Sequence, residues 1–172
     1  ISYVETRWGE EMLESALELC SNGVANALRE ALVPGAWFPV LWLSRFQHAV
    51  VAATDNVEAI EDLSYDTSTG YISQFSGLAA HVLSPSGVLR KVPSMLADSF
   101  HGPEVEIEVE GDRAIVHHTK CVGFDPLLWG MLHAGIVGML DGTGAHDVRY
   151  EIQRGGGTSD ECLLELQWRR RS

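Results

Sequence analysis

The sequence predicts a single α+β domain: an N-terminal helical half packed on a four-stranded antiparallel sheet of two hairpins, crossed by a glycine-rich helix. Three observations carry this. From Glu104 onward, Val105, Ile107 and Val109 alternate with Glu104, Glu106, Glu108 and Glu110, the period of a half-buried strand. Before that point apolar residues recur at helical spacing, punctuated by capping signals. Between the two hairpins lies the apolar stretch Trp129 to Leu140, interrupted by Gly130, Gly135 and Gly138.

The helical half covers about 1–102 and the ββαββ half about 103–169. A helix over Tyr3 to Leu32 interleaves Glu5, Glu10, Glu11 and Glu14 with Trp8, Met12, Leu13, Leu17 and Leu19. Ser21-Asn22-Gly23 divides it, and Pro34-Gly35 stops it. Trp37–Thr54 is a second helical stretch, with Pro39 in its first turn. Asp55–Leu63 reads as a short acidic helix, and Asp66-Thr67-Ser68 as N-caps for a separate helix over Thr69–Val82. Ser84-Pro85-Ser86 opens a helix from Gly87 to Phe100, kinked at Pro93.

His101-Gly102-Pro103 closes the helical half. The first hairpin turns at Gly111-Asp112 and returns as Arg113–Lys120, with one face toward water. Phe124-Asp125-Pro126 opens the glycine helix, which ends at Asp141-Gly142-Thr143-Gly144. Asp147–Arg154 and Glu161–Arg169 form the second hairpin. Glycine inside a helix costs about 1 kcal/mol relative to alanine. The three interior glycines therefore imply close approach of another backbone or of a bound molecule.

Composition narrows function by exclusion. A net charge of −12 and pI near 4.9 argue against binding nucleic acid through phosphates, and the basic cluster Arg169-Arg170-Arg171 sits at the extreme end. No apolar run is long enough to span a bilayer; Pro39, Arg45, His48 and His133 break the most apolar windows. Cys20, Cys121 and Cys162 form no CxxC and suit free thiols in a reducing cytoplasm. The chain begins at Ile1, which reads as trimming or excision from a longer protein.

The order of helices, ββ, glycine helix and ββ resembles the ligand-binding fold shared by V4R (4-vinyl reductase) domains, Bet3-type transport subunits and heme-NO-binding domains. Gly130, Ala134, Gly135 and Gly138 match the small-residue helix, and Cys162 lies in the hairpin that follows. The chain is also similar to a myxobacterial protein family of about this length. That resemblance rests on Arg7-Trp8-Gly9-Glu10-Glu11, Trp37-Phe38-Pro39-Val40, Gly70, Gly77, the glycine helix and a closing strand ending in Trp168. It implies the fold, and a sensor or adaptor role by analogy.

Heme-NO-binding domains carry a Tyr-x-Ser-x-Arg element before the glycine helix to hold the heme propionates. Here that place reads His117-His118-Thr119-Lys120-Cys121, so heme is disfavoured, with His101 the axial ligand one would nominate. Zinc would draw on His117, His118, Cys121, His133 and Cys162, but adjacent strand histidines point to opposite faces. The expected set of metal ligands is empty, as is the set of catalytic residues, since nothing meets the geometry of a nucleophile, base and orienting acid.

Trp42, Arg45, Phe46, Tyr71, Phe75, Trp129 and His133 are the expected ligand-binding residues: aromatic walls, to which Trp37, Phe38 and Phe124 could also contribute, with Arg45, His48, His81 or His133 as polar handles. The corresponding function is a cytoplasmic, non-catalytic sensor or adaptor that binds a small hydrophobic molecule in a helix-lined pocket and signals through dimerisation. The alternative is a protein-interaction module with a filled core, its glycines serving helix packing or a homodimer seam. A third reading makes His117, His118, Cys121 and Cys162 the ligands of a metal-dependent enzyme or zinc sensor.

Overall fold

The computed structural model describes residues 2–30, 38–79 and 84–170, with the side chains of 30, 73–79 and 170 excepted. Pro34-Gly35, Trp37 and His81 lie outside the described residues. Three short helices open the chain: α1 (Ser2–Trp8), α2 (Glu10–Leu19) and α3 (Asn22–Glu30). The predicted break at Ser21–Gly23 is present, with α3 starting at Asn22. A second break falls at Gly9, whose φ of 88° is a conformation that side chains resist.

Helix α4 (Val40–Thr54) begins one residue after Pro39, which is its N-cap instead of part of its first turn. It stops at Asp55, in a left-handed conformation with φ 49°. The next helix corrects the sequence expectation. A single helix, α5 (Ala59–Ala79), replaces the two expected over Asp55–Leu63 and Thr69–Val82. Asp66, Thr67 and Ser68 cap nothing there; Asp66 forms an ion pair with Arg7. Nearby hydroxyls reach the glycine helix, with Ser64 Oγ donating to the Met131 carbonyl at 2.7 Å and Thr69 Oγ1 to that of Gly138 at 3.1 Å. Tertiary partners thus keep cap-forming residues inside a helix.

The expected kinked helix Gly87–Phe100 is instead two helices, α6 (Pro85–Leu89) and α7 (Val92–Ser99). Ser84 caps the first, accepting the Gly87 N–H at 3.1 Å. Pro93 lacks an N–H to continue a helix but suits the first turn of a new one.

The strands are β1 (Glu104–Glu110), β2 (Arg113–Thr119), β3 (Ala145–Gly155) and β4 (Cys162–Arg170), all pairing antiparallel in the order β1-β2-β4-β3. Pairing of β2 with β4, from Arg113 opposite Gln167 to His118 opposite Cys162, joins the two hairpins into one sheet. One face of β1 turns its glutamates to water, while Val105, Ile107 and Val109 pack on the core. That core holds Val116, Leu164, Leu166 and Trp168 of the sheet against Leu89, Ile136 and Leu140. A second core joins α1 to α4 through Val4, Leu13, Leu17, Val24, Phe46 and Val50, with Ile60 from α5.

Helix α8 (Pro126–Gly142) is the predicted glycine helix, and α5 lies directly on it. A Cβ at Gly138 would fall on the Tyr65 carbonyl oxygen, and one at Gly142 would lie 2.8 Å from Ile72 Cβ. At Gly135 it would meet the Ser64 hydroxyl at 3.0 Å, and at Gly130 the Glu61 carboxylate. The glycines are thus accounted for by a neighbouring helix. The Tyr65 hydroxyl adds a 2.5 Å bond to Asp141 across the same seam.

Candidate ligand site

A groove of about 780 Å³ opens where the helical half meets the hairpins. Three segments form it with Leu28 of α3. The start of α4 supplies Phe38, Trp42 and Leu43; the α7–β1 connection supplies Phe100, His101 and Pro103; the β2–α8 connection supplies Lys120, Val122 and Phe124. Positive φ values at Gly102, Lys120 and Gly123 fold the two connections toward α4. At Gly123 the chain passes so near that a Cβ would sit 3.0 Å from Val40 Cγ1. The Cys121 N–H, bonded at 2.8 Å to the Asp160 carbonyl, ties the second connection to the turn between β3 and β4.

Two aromatic pairs wall the groove: Phe38 stacks on Trp42 at 5.9 Å between centroids, and Phe100 meets Phe124 at 5.4 Å. Its ionisable lining is His101 and Lys120, and the Lys120 ammonium lies 2.5 Å from Glu104. Phe38 and Val122 stay well exposed at the rim, with Leu41 beside them on α4.

Leu28 and Leu43 also line a second cavity, of about 290 Å³, and therefore form the partition between the two spaces. Its walls include Val4, Phe46, Ile60, Leu63 and Met131, with the hydroxyls of Ser64, Thr67 and Ser68 on one side. Gln47, 2% exposed, also lines it. Its Nε2 lies 2.9 Å from Met131 Sδ, and its buried Oε1 has no hydrogen-bond partner.

A cluster on the sheet side brings together His118, His133, Cys121, Cys162 and Trp129, all nearly or fully buried. Trp129 stacks on His133 at 5.8 Å and meets His118 edge-on, and His133 Nε2 lies 3.7 Å from Cys162 Sγ. Burial, then the neighbouring His133 and His117, lowers the His118 pKa to about 4; burial alone takes His133 to about 4. Burial also raises Cys121 to about 12 and Cys162 to about 11. At neutral pH the cluster is thus neutral imidazoles and protonated thiols, without an activated nucleophile. His117 points the other way, 3.7 Å from Glu161, as strand alternation requires. Among the described residues no three His, Cys, Asp or Glu side chains are arranged to hold a metal.

Ser44, His48 and Asp125 contain the residue types of a hydrolase triad in a different arrangement. Ser44 and His48 both bond the same Asp125 oxygen, the imidazole at 3.1 Å, so the imidazole is not interposed between hydroxyl and acid. The other Asp125 oxygen accepts the Leu128 N–H at 3.0 Å and caps α8. Burial favours the neutral acid, but bonds from Ser44, Leu128 and His48 outweigh it and lower the Asp125 pKa. The carboxylate is a structural joint between α4 and α8.

The residues expected to bind ligand are dispersed. Trp42 lines the groove and Phe46 the second cavity. Trp129 and His133 meet in the sheet-side cluster. Arg45 is exposed on the outer side of α4, and Tyr71 is exposed beside a shallow depression with Tyr3, Arg7 and Asp66. The Phe75 side chain lies outside the described residues. Sequence reading overlooked Leu28, Leu43 and Phe100 and left Gln47 unremarked. Helical periodicity marks such residues as core, and only the two connections turn them into groove and cavity walls.

The architecture, with seven helices among the described residues before the first hairpin and one between hairpins of a four-stranded antiparallel sheet, is the H-NOX fold. Its solved examples include an Fe(II) unliganded H-NOX protein from K. algicida, with TM-score 0.66, 13% identity, and coverage of 99% of this chain and 92% of that one. An H-NOX protein variant from S. oneidensis in the Fe(II) ligation state gives TM-score 0.69 and 10% identity over 99% of this chain and 92% of its own. The oxygen complex of an H-NOX domain related to soluble guanylate cyclases gives 0.64 and 11%, over 97% and 89%. At these identities the likeness is one of fold. No protein-family model matches the chain, and no curated protein matches it in sequence.

Proposed function

We propose that this chain is a non-catalytic sensor or adaptor domain that takes a small apolar molecule into the groove between its helical half and its hairpins. The observation that carries this reading is the groove itself, about 780 Å³ with two aromatic pairs in its walls. Its size lies within the range of small-molecule sites. The fold likeness to H-NOX domains supports a sensing role by analogy. A ligand bridging α4 and the two connections would alter how the helical half sits on the sheet, a change that a dimer partner could read.

Heme is the natural comparison, since neighbours of this fold bind iron and oxygen. The residues here do not fit it well. No Tyr-x-Ser-x-Arg clamp is present, and Lys120, the one strong cation among the described residues of the groove, is paired with Glu104. His118 and His133 are enclosed by Trp129 and the sheet; His101 is the imidazole lining the groove. We infer a ligand other than heme.

Native mass spectrometry of freshly purified protein, beside denaturing mass spectrometry and an absorbance spectrum, tests the proposal. Extra mass lost on denaturation, without a Soret band, is the expected result. An apo mass that stays unchanged after incubation with an apolar fluorophore would refute it. That outcome would favour a protein-interaction module using exposed Phe38, Leu41 and Val122 as its contact patch. A Soret band would overturn the exclusion of heme.

A further inference from the structure

We infer that a second copy of this chain docks on the β3 edge of the sheet, antiparallel to it and about a two-fold axis at Tyr150, whether or not the groove holds a ligand. Strand β3 is last in the sheet order, so one side of its backbone has no strand partner within the chain. Every residue from Arg149 to Gly155 is exposed, among them Tyr150 at 41% and Ile152 at 44%. Tyr150 and Ile152 lie opposite Leu166 and Leu164 of β4, so both stand on the core face of the sheet, at its open margin. An uncovered edge with apolar side chains on one face recruits another strand unless charge opposes it.

Charge here favours a second copy. Directly opposite residues of an antiparallel pair share a face, so the two-fold axis must pass through a residue. At Tyr150 it sets Arg149 of each copy opposite Glu151 of the other, and Val148 opposite Ile152. Moved one residue either way, it sets Arg149 against Arg149 or Glu151 against Glu151, and both repel. A centre at Val148 would call on Asp147, which has φ 52° and is paired with Arg169. Register shifts between His146 and Arg149, and between Ile152 and Arg154, keep the regular ladder short. Within the chain Glu151 lies opposite Glu165, which Arg113 already binds, and Arg154 is engaged by Glu161. The second copy's Arg149 supplies Glu151 with a cation. The contact uses the same patch on both copies, so it closes at a dimer.

Sedimentation velocity of the full chain over a concentration series, repeated by native mass spectrometry, tests this. So short a ladder makes a weak, reversible dimer. Arg149→Glu and Glu151→Arg should each lower the association constant about tenfold, by turning two attractive pairs into repulsive ones. The double variant Arg149→Glu/Glu151→Arg should return it to within about threefold of wild type. Tyr150→Cys puts a thiol on the axis, where a short bis-maleimide should link two copies, and Gln153→Cys should stay unlinked; the native Cys20, Cys121 and Cys162 are buried. Should a charge variant misfold by circular dichroism, the cross-linking decides. A monomer at concentrations up to about 1 mM would overturn the inference. So would a dimer indifferent to both single reversals, a double variant as impaired as the singles, or equal cross-linking at positions 150 and 153.

Discussion

Two alanine substitutions on one face of α8 should have opposite effects. Each replaces a helix-interior glycine and gains about 1 kcal/mol of helix propensity. At Gly130 the new methyl meets the Glu61 carboxylate, the mobile end of a half-buried side chain that can swing aside. At Gly138 it meets the Tyr65 backbone carbonyl, with Thr69 Oγ1 3.0 Å away, so α5 itself must retreat. Overpacking of that kind costs about 1–3 kcal/mol. Retreat would also stretch the 3.1 Å bond from Thr69 to the Gly138 carbonyl. Gly130→Ala is therefore expected to range from neutral to about 1 kcal/mol more stable, and Gly138→Ala up to about 2 kcal/mol less stable. Because propensity is common to both, the gap between the variants reports the steric contribution alone. For a chain of 172 residues each kcal/mol moves Tm by about 2–4 °C. Urea unfolding followed by far-ultraviolet circular dichroism measures both. If Gly138→Ala proves as stable as Gly130→Ala, backbone contact between α5 and α8 is not why the helix carries glycine.

The buried histidines make stability depend on pH. An unfolded imidazole titrates near 6.5, whereas His118 and His133 do so at about 4 in the fold. The unfolded chain therefore binds more protons between these values, and stability is full above about pH 6.5 and falls toward pH 4, by up to about 2.7 kcal/mol per pH unit. Urea midpoints at pH 7.5 and 5.5 check this, and His133→Leu should reduce the slope; identical midpoints would exclude two buried neutral imidazoles. Asp125→Ala removes the α8 cap and the shared partner of Ser44 and His48, with an expected loss of about 1–2 kcal/mol in the same assay. Asp125→Asn, which can still cap, should recover much of it. Trp42→Ala should weaken any groove ligand at least tenfold, by truncating one of the stacked walls, while fluorophore affinity in Tyr71→Ala stays at the wild-type value.

Strand periodicity carried further than helix boundaries. The Glu-Val alternation and the Gly111-Asp112 turn located β1 and β2 within a residue, because their pattern answers to one local rule, a wet face and a dry face. Helix α5 was misread because Asp66, Thr67 and Ser68 are good caps in isolation; only the arrival of α8 beside them turns neighbouring hydroxyls into bonds between helices. The glycines of α8 announced a close neighbour but not its identity, since a backbone and a ligand make the same demand on Cβ. For the groove the failure is deeper. It is assembled from three segments far apart in the chain, and apart from the aromatic Phe38, Trp42 and Phe124 its walls are residues whose spacing marks only core or loop.

Strand β1 is an edge of the sheet, and its outward side chains are Glu104, Glu106, Glu108 and Glu110. An exposed edge invites another chain to add a strand. Here any antiparallel copy aligned on β1 would place carboxylate against carboxylate along the whole ladder. Among the described residues, Lys120 offsets the charge of Glu104 at one end and Arg113 interacts with that of Glu110 at the other. The motif thus works as a guard against stacking into filaments, one that weakens as salt shortens the reach of charge to a few ångströms. An assembly of this chain that survives at low ionic strength must therefore be built through some other surface, whereas molar salt would be the condition under which this edge begins to recruit copies of itself.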